Sequence, residues 1–132
     1  MPNALTPKEE SDLGHVIDHE NLVVYQLAFQ FAVDADAMVK RIDKSGAHLA
    51  DQFRRASSSI PLNIAEGSAK MGVREKAHPY RIARGSATES AACLDLLHRL
   101  GHITIGEFSG GKTLVRRIVG ALINLAKSVE ER

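Results

Sequence analysis

At 132 residues, with 44% hydrophobic side chains and one cysteine, the chain is of single-domain size and must build its core without disulfide staples. No apolar stretch approaches the roughly 18 residues of a membrane span, and the opening residues lack a basic-then-apolar secretion signal, so no membrane partner and a reducing, cytoplasmic setting are expected. The net charge of +1 hides an asymmetry: residues 1–39 carry one Lys against seven acids, residues 40–84 carry ten Lys or Arg against four acids, and the remainder is nearly balanced.

Residues 1–20 read as a flexible N-terminal arm, and residues 21–132 as one domain. From about Asn21 to Lys44, Val24, Ala28, Phe31, Ala35, Met38 and Ile42 recur at spacings of four and three, which predicts a helix with a core-facing seam. Beside them lie Leu22, Tyr25, Phe29, Ala32 and Val39, an apolar arc wider than one core requires. A second helix is predicted from Ala47 to about Lys70, on the stripe Leu49, Phe53, Ala56, Ile60 and Ile64. Pro61 inside it predicts a kink near Ser57 and Ser58, whose hydroxyls would satisfy the carbonyl that proline leaves free. A third helix, rich in small residues, is expected from about Arg74 to Leu100, with Gly101 as its stop. The fourth is expected from Glu107 or Gly111 to the end, with Val115, Val119, Leu122, Ala126 and Val129 on one stripe and Leu114, Ile118, Ala121 and Leu125 on another. Four helices with short connections define an all-α, antiparallel up-down-up-down four-helix bundle, and the surplus apolar surface predicts a homo-oligomer.

Gly106-Glu107-Phe108-Ser109-Gly110-Gly111-Lys112-Thr113 matches the phosphate-loop pattern GxxxxGK[ST]. That loop needs a strand before it and a parallel sheet around it, and about 20 residues after the motif cannot build one. The segment is therefore read as a glycine-rich turn opening the last helix, with Ser109 near its cap. Asp95, His98 and His102 have metal-like spacing, as do His15 and His19, but neither set supplies a full ligand shell, so no metal and no cofactor are expected. Cys93 lies among alanines with no cation beside it and reads as a packing residue.

A polar stripe on the second helix, Gln52, Arg55, Ser59, Asn63 and Glu66, is answered on the third by Ser86 and Glu89. Polar groups at a bundle seam must pair, so Arg55 and Asn63 facing Glu89 would fix helix register. No nucleophile or oxyanion donor set accompanies them, so no catalytic residues are assigned.

The same residues carry a family resemblance. Gln52-Phe53-Arg54-Arg55-Ala56-Ser57-Ser58-Ser59-Ile60-Pro61-Leu62-Asn63-Ile64-Ala65-Glu66-Gly67 resembles the signature Q-x-R-R-A-x-x-S-I-x-x-N-I-A-E-G, and Ile82-Ala83-Arg84-Gly85-Ser86-Ala87-Thr88-Glu89 resembles I-A-x-G-S-x-x-E. Both belong to the bacterial four-helix bundle proteins first noticed as products of intervening sequences in large-subunit ribosomal RNA genes. Over residues 21 to 130, the resemblance implies a ring-like homo-oligomer, a pentamer. It also implies kinship with the accessory subunit of diversity-generating retroelements, a basic barrel that binds nucleic acid and a reverse transcriptase. Two departures stand out: the near-neutral charge, and Pro79 where the family keeps an aromatic or aliphatic residue, which predicts a shortened third helix.

Two functions follow as expectations. In one, the ring binds RNA or DNA without base readout, with Lys40, Arg41, Lys44, Arg54, Lys70, Arg74, Lys76, Arg81 and Arg84 on phosphates. In the other, it is a protein-protein scaffold, and its basic segment is neutralised by its own acidic arm and neighbouring subunits.

Overall fold

The computed structural model describes residue 4, residues 6–8 and residues 22–130; most of the expected arm, including His15 and His19, lies outside the described residues. Within residues 22–130 four helices follow in order: α1 (Val23–Val39), α2 (Ala47–Ala69), α3 (Val73–Arg99) and α4 (Ile105–Glu130), with a 3₁₀ turn at Lys44–Gly46. There is no strand among the described residues. Each helix packs on its neighbours in sequence, and α1 also meets α4, which closes the ring of an antiparallel bundle.

The connections set that order. α1 ends at Val39 rather than Lys44, because Asp43 turns the chain: its side chain accepts from the Ser45 N–H at 3.0 Å and its carbonyl from the Gly46 N–H at 3.1 Å. Ile42, past the helix, still packs on the core. At Gly46 a Cβ would lie 2.6 Å from Ile42 Cγ2 and 2.9 Å from the His102 ring, so the turn is tight against the α3–α4 connection. Gly101, at φ +84°, ends α3 in a Schellman motif: the His102 N–H donates to Leu97 O at 2.8 Å and the Gly101 N–H to His98 O at 3.0 Å.

α4 starts earlier than the glycines suggest. Thr104 is its cap, with the Glu107 N–H donating to Thr104 Oγ1 at 3.1 Å and the Thr104 N–H to Glu107 Oε1 at 2.9 Å, a reciprocal capping box. Gly106, Gly110 and Gly111 are helical, and Ser109 is not the cap.

The expected seam of α1 is buried through Val24, Ala28, Phe31, Ala35 and Met38. Phe31 meets Phe53 of α2 edge to face, with ring centroids 5.9 Å apart, and Ile60, Ile64, Leu94, Leu97, Ile118 and Leu122 complete the core. α2 runs unbroken through Pro61. The Ser57 and Ser58 hydroxyls donate to Arg54 O at 3.1 Å and Arg55 O at 3.2 Å, one turn earlier than the carbonyl that Pro61 frees, so their expected role is not the one they take. Pro79 does not shorten α3, which begins six residues before it.

Candidate nucleic-acid interface

The structure divides the nine basic residues between both ends of the bundle. Lys40, Arg41 and Lys44 sit at the α1–α2 connection, and Arg54 lies two turns into α2. Most of these have local partners: Lys40 Nζ lies 2.8 Å from Asp36, Arg41 pairs with Glu107, and Arg54 lies 2.9 Å from Asp51. Lys70, Arg74, Lys76, Arg81 and Arg84 sit at the opposite end. Lys76 is used internally, donating to Gly67 O at 3.4 Å and Ser68 O at 3.2 Å at the carbonyl end of α2. The nine therefore form no single face, because a sequence segment that crosses two helices is spread over the length of both.

What remains is narrower. Of the nine, Lys44, Lys70, Arg74, Arg81 and Arg84 are exposed and make no ion pair among the described residues, and of these Arg74, Arg81 and Arg84, spaced by seven and three, fall on one stripe of α3. Below them, Ala77, Tyr80, Arg81 and Arg84 of α3 and Leu122, Ile123 and Ala126 of α4 line a cleft of about 180 Å³. Its floor is apolar and two of its lining residues are cationic. The α4 half of this cleft escaped sequence reading, because Leu122, Ile123 and Ala126 carry no signal beyond helical periodicity.

The polar stripe between α2 and α3 is arranged differently from expectation. Gln52, Arg55, Ser59, Ser86 and Glu89 do line one shallow groove of about 380 Å³. Across it, Ser86 Oγ donates to Ser59 Oγ at 2.8 Å, and within α2 the Asn63 amide donates to Ser59 O at 2.8 Å and Ser59 Oγ at 3.0 Å. Arg55 turns away from Glu89 to Asp51, one turn back on its own helix, at 3.0 Å. Arg55, Glu66 and Glu89 are exposed. Long charged side chains at a groove mouth keep their hydration, which costs less than burial as a pair. The hydrogen bond that crosses this groove joins two small hydroxyls, and the expected Arg55–Glu89 contact is absent among the described residues.

The other candidates resolve into packing. Asp95 Oδ1 accepts from Lys112 Nζ at 2.7 Å, and His98 stacks on Phe108 with ring centroids 4.4 Å apart, so Asp95, His98 and His102 do not converge. Among the described residues no three His, Cys, Asp or Glu side chains are grouped to hold a metal ion. Cys93 is buried, and that burial, with Glu89 nearby, pushes its thiol up, away from the reactive thiolate. Partial burial pushes the Glu107 carboxyl up, but its hydrogen bonds from Thr104 and Arg41 outweigh this and hold it below the ordinary value. No helix among the described residues is long and apolar enough to cross a membrane.

These features define an all-α, four-helix bundle whose candidate site is a charged surface with a small cleft. The chain belongs to the family described as 23S rRNA-intervening sequence protein, which it matches over residues 20–124. Both signature stretches lie inside that range. A solved structure, a protein of unknown function from the S23 ribosomal protein family of Bacteroides thetaiotaomicron VPI-5482, is similar at a TM-score of 0.74 and 25% identity, covering 80% of this chain and 96% of that one. Neither description names an enzymatic activity. No curated protein matches the chain.

Proposed function

We propose that the protein is a non-enzymatic, self-associating helical module, a ring-like pentamer of the cytoplasm, that binds RNA or DNA through phosphates without reading sequence. The observation that carries this reading is the exposed Arg74, Arg81 and Arg84 stripe, free of ion pairs among the described residues while Lys40, Arg41, Arg54 and Arg55 are paired. Unpaired guanidinium groups on a rigid helix suit phosphate oxygens, and rotational symmetry would repeat the stripe around a ring. The tie of the family name to ribosomal RNA genes and of the neighbour's name to a ribosomal protein family supports the same direction.

Titration of the mass-verified oligomer with short duplex and single-stranded RNA and DNA tests it. Affinity should fall steeply with salt, and each of Arg74→Ala and Arg81→Ala should reduce the salt slope by about one per site. Absence of binding at low salt would reject the reading. A second reading, a homo-oligomeric scaffold without nucleic-acid binding, is favoured by the outer face of α1: Val23, Phe29 and Val33 are 67%, 53% and 50% exposed, and no charged residue lies between them. Under that reading the same titration is silent at every salt concentration.

A further inference from the structure

The cleft between α3 and α4 has a cationic rim and an apolar floor, and the chain itself contains a segment of matching chemistry. Residues 9–20 hold five acids, Glu9, Glu10, Asp12, Asp18 and Glu20, and no Lys or Arg. Leu13, Val16 and Ile17 stand among them at spacings of three and one, which would bring them to one side of a helical turn. We propose that residues 9–20 dock on the α3–α4 cleft, with their acids toward Arg74, Arg81 and Arg84 and with Leu13, Val16 and Ile17 toward Leu122, Ile123 and Ala126.

Topology places the two together. In the antiparallel bundle, Arg41 at the end of α1 pairs with Glu107 at the start of α4, so the start of α1 lies beside the end of α4. That is the end at which Tyr80, Arg81 and Arg84 meet Leu122, Ile123 and Ala126. The segment joins the bundle at Leu22, at this same end. Twelve residues reach up to about 40 Å when extended, whereas the route from α1 to the far side of α4 is one helix diameter, about 10 Å. Charge favours this end: Arg74, Arg81 and Arg84 make no ion pair among the described residues, whereas at the other end Lys40, Arg41 and Arg54 already have carboxylate partners and Lys44 alone of these four does not. Docking does not require the nucleic-acid reading. If that reading holds, the segment is a built-in competitor for the same arginines.

The test compares the full chain with a full-length variant carrying Glu9→Gln, Glu10→Gln, Asp12→Asn, Asp18→Asn and Glu20→Gln. Methyl resonances of Ala77, Leu122, Ile123 and Ala126 should shift between the two, while those of Ile60 and Leu97 in the core stay in place and report an intact fold. Raising salt from about 0.05 to about 0.5 M should move the wild-type cleft methyls toward the variant positions, since screening weakens the same contacts. Cleft methyls that coincide in the two proteins would overturn the proposal. Affinity for a short oligouridine separates the two readings. Removing a tethered competitor at roughly millimolar effective concentration, with an intrinsic dissociation constant of about 0.1 mM, should tighten binding about tenfold. Shifted methyls with no oligouridine binding by either protein would uphold docking and reject the nucleic-acid reading. Equal binding by both proteins with unmoved methyls would do the reverse.

Discussion

Ser90 is fully buried on α3 and its hydroxyl is without a hydrogen-bond partner among the described residues. An unmet buried hydroxyl costs about 1 kcal/mol or more, so Ser90→Ala should raise the unfolding free energy by about that amount, read as a higher denaturant midpoint at unchanged m-value. Gly67 tells the opposite story. A Cβ there would lie 2.4 Å from Tyr80 Cε1, and Tyr80 is buried, so the ring cannot swing away freely. Gly67→Ala should cost about 1–3 kcal/mol, whereas Gly85→Ala, whose Cβ meets nothing within 4 Å, should gain up to about 1 kcal/mol by helix propensity. Thermal melts of the two variants should move in opposite directions. From sequence, both are glycines inside signature stretches; only the position of the Tyr80 ring separates them.

Among the elements, α4 depends most on a short local pattern. Thr104-x-x-Glu107 reads as a capping box, yet the phosphate-loop match across Gly106 to Thr113 draws the eye past it. Thr104→Ala should destabilise the protein by about 1 kcal/mol, read as a lower thermal midpoint. Because Glu107 titrates below its ordinary value when folded, its contribution is complete above the unfolded pKa and is lost as pH falls through the folded one. Glu107→Gln should therefore lower stability at neutral pH and flatten the acid limb of the stability profile. A limb identical to wild type would count against the assignment. The helices themselves were legible in sequence because the four-and-three spacing of Val24, Ala28, Phe31, Ala35 and Met38 is a direct image of the buried face. Their ends were less so, since Asp43 and Thr104 act through hydrogen bonds that hydrophobic periodicity does not record.

For the whole molecule, the unsettled surface is the outer face of α1. Val23, Phe29 and Val33 lie exposed on a helix that already buries its other side against α2 and α4. Self-association through this face predicts that Phe29→Glu combined with Val33→Glu lowers the native mass measured by light scattering while helical content is kept. An unchanged mass would move the proposed subunit contact to another face. The charge ledger belongs to this scale too. A net charge of +1 describes neither end of the bundle, because carboxylates neutralise much of the α1–α2 end and the α3 arginines stand without partners among the described residues.

By itself the sequence determined the fold class, the four helices and most of the core, because burial by an amphipathic helix leaves a periodic trace that needs no knowledge of neighbours. The signature residues from Gln52 to Gly67 also point to the family, whose match spans residues 20–124. Only the tertiary structure decided which basic residues are free, that Arg55 bonds Asp51 and not Glu89, and that Arg81 and Arg84 share a cleft with Leu122 and Ala126. Those outcomes turn on distances between residues far apart in the chain and on the competition between a nearby partner and water, which residue spacing along one helix does not encode.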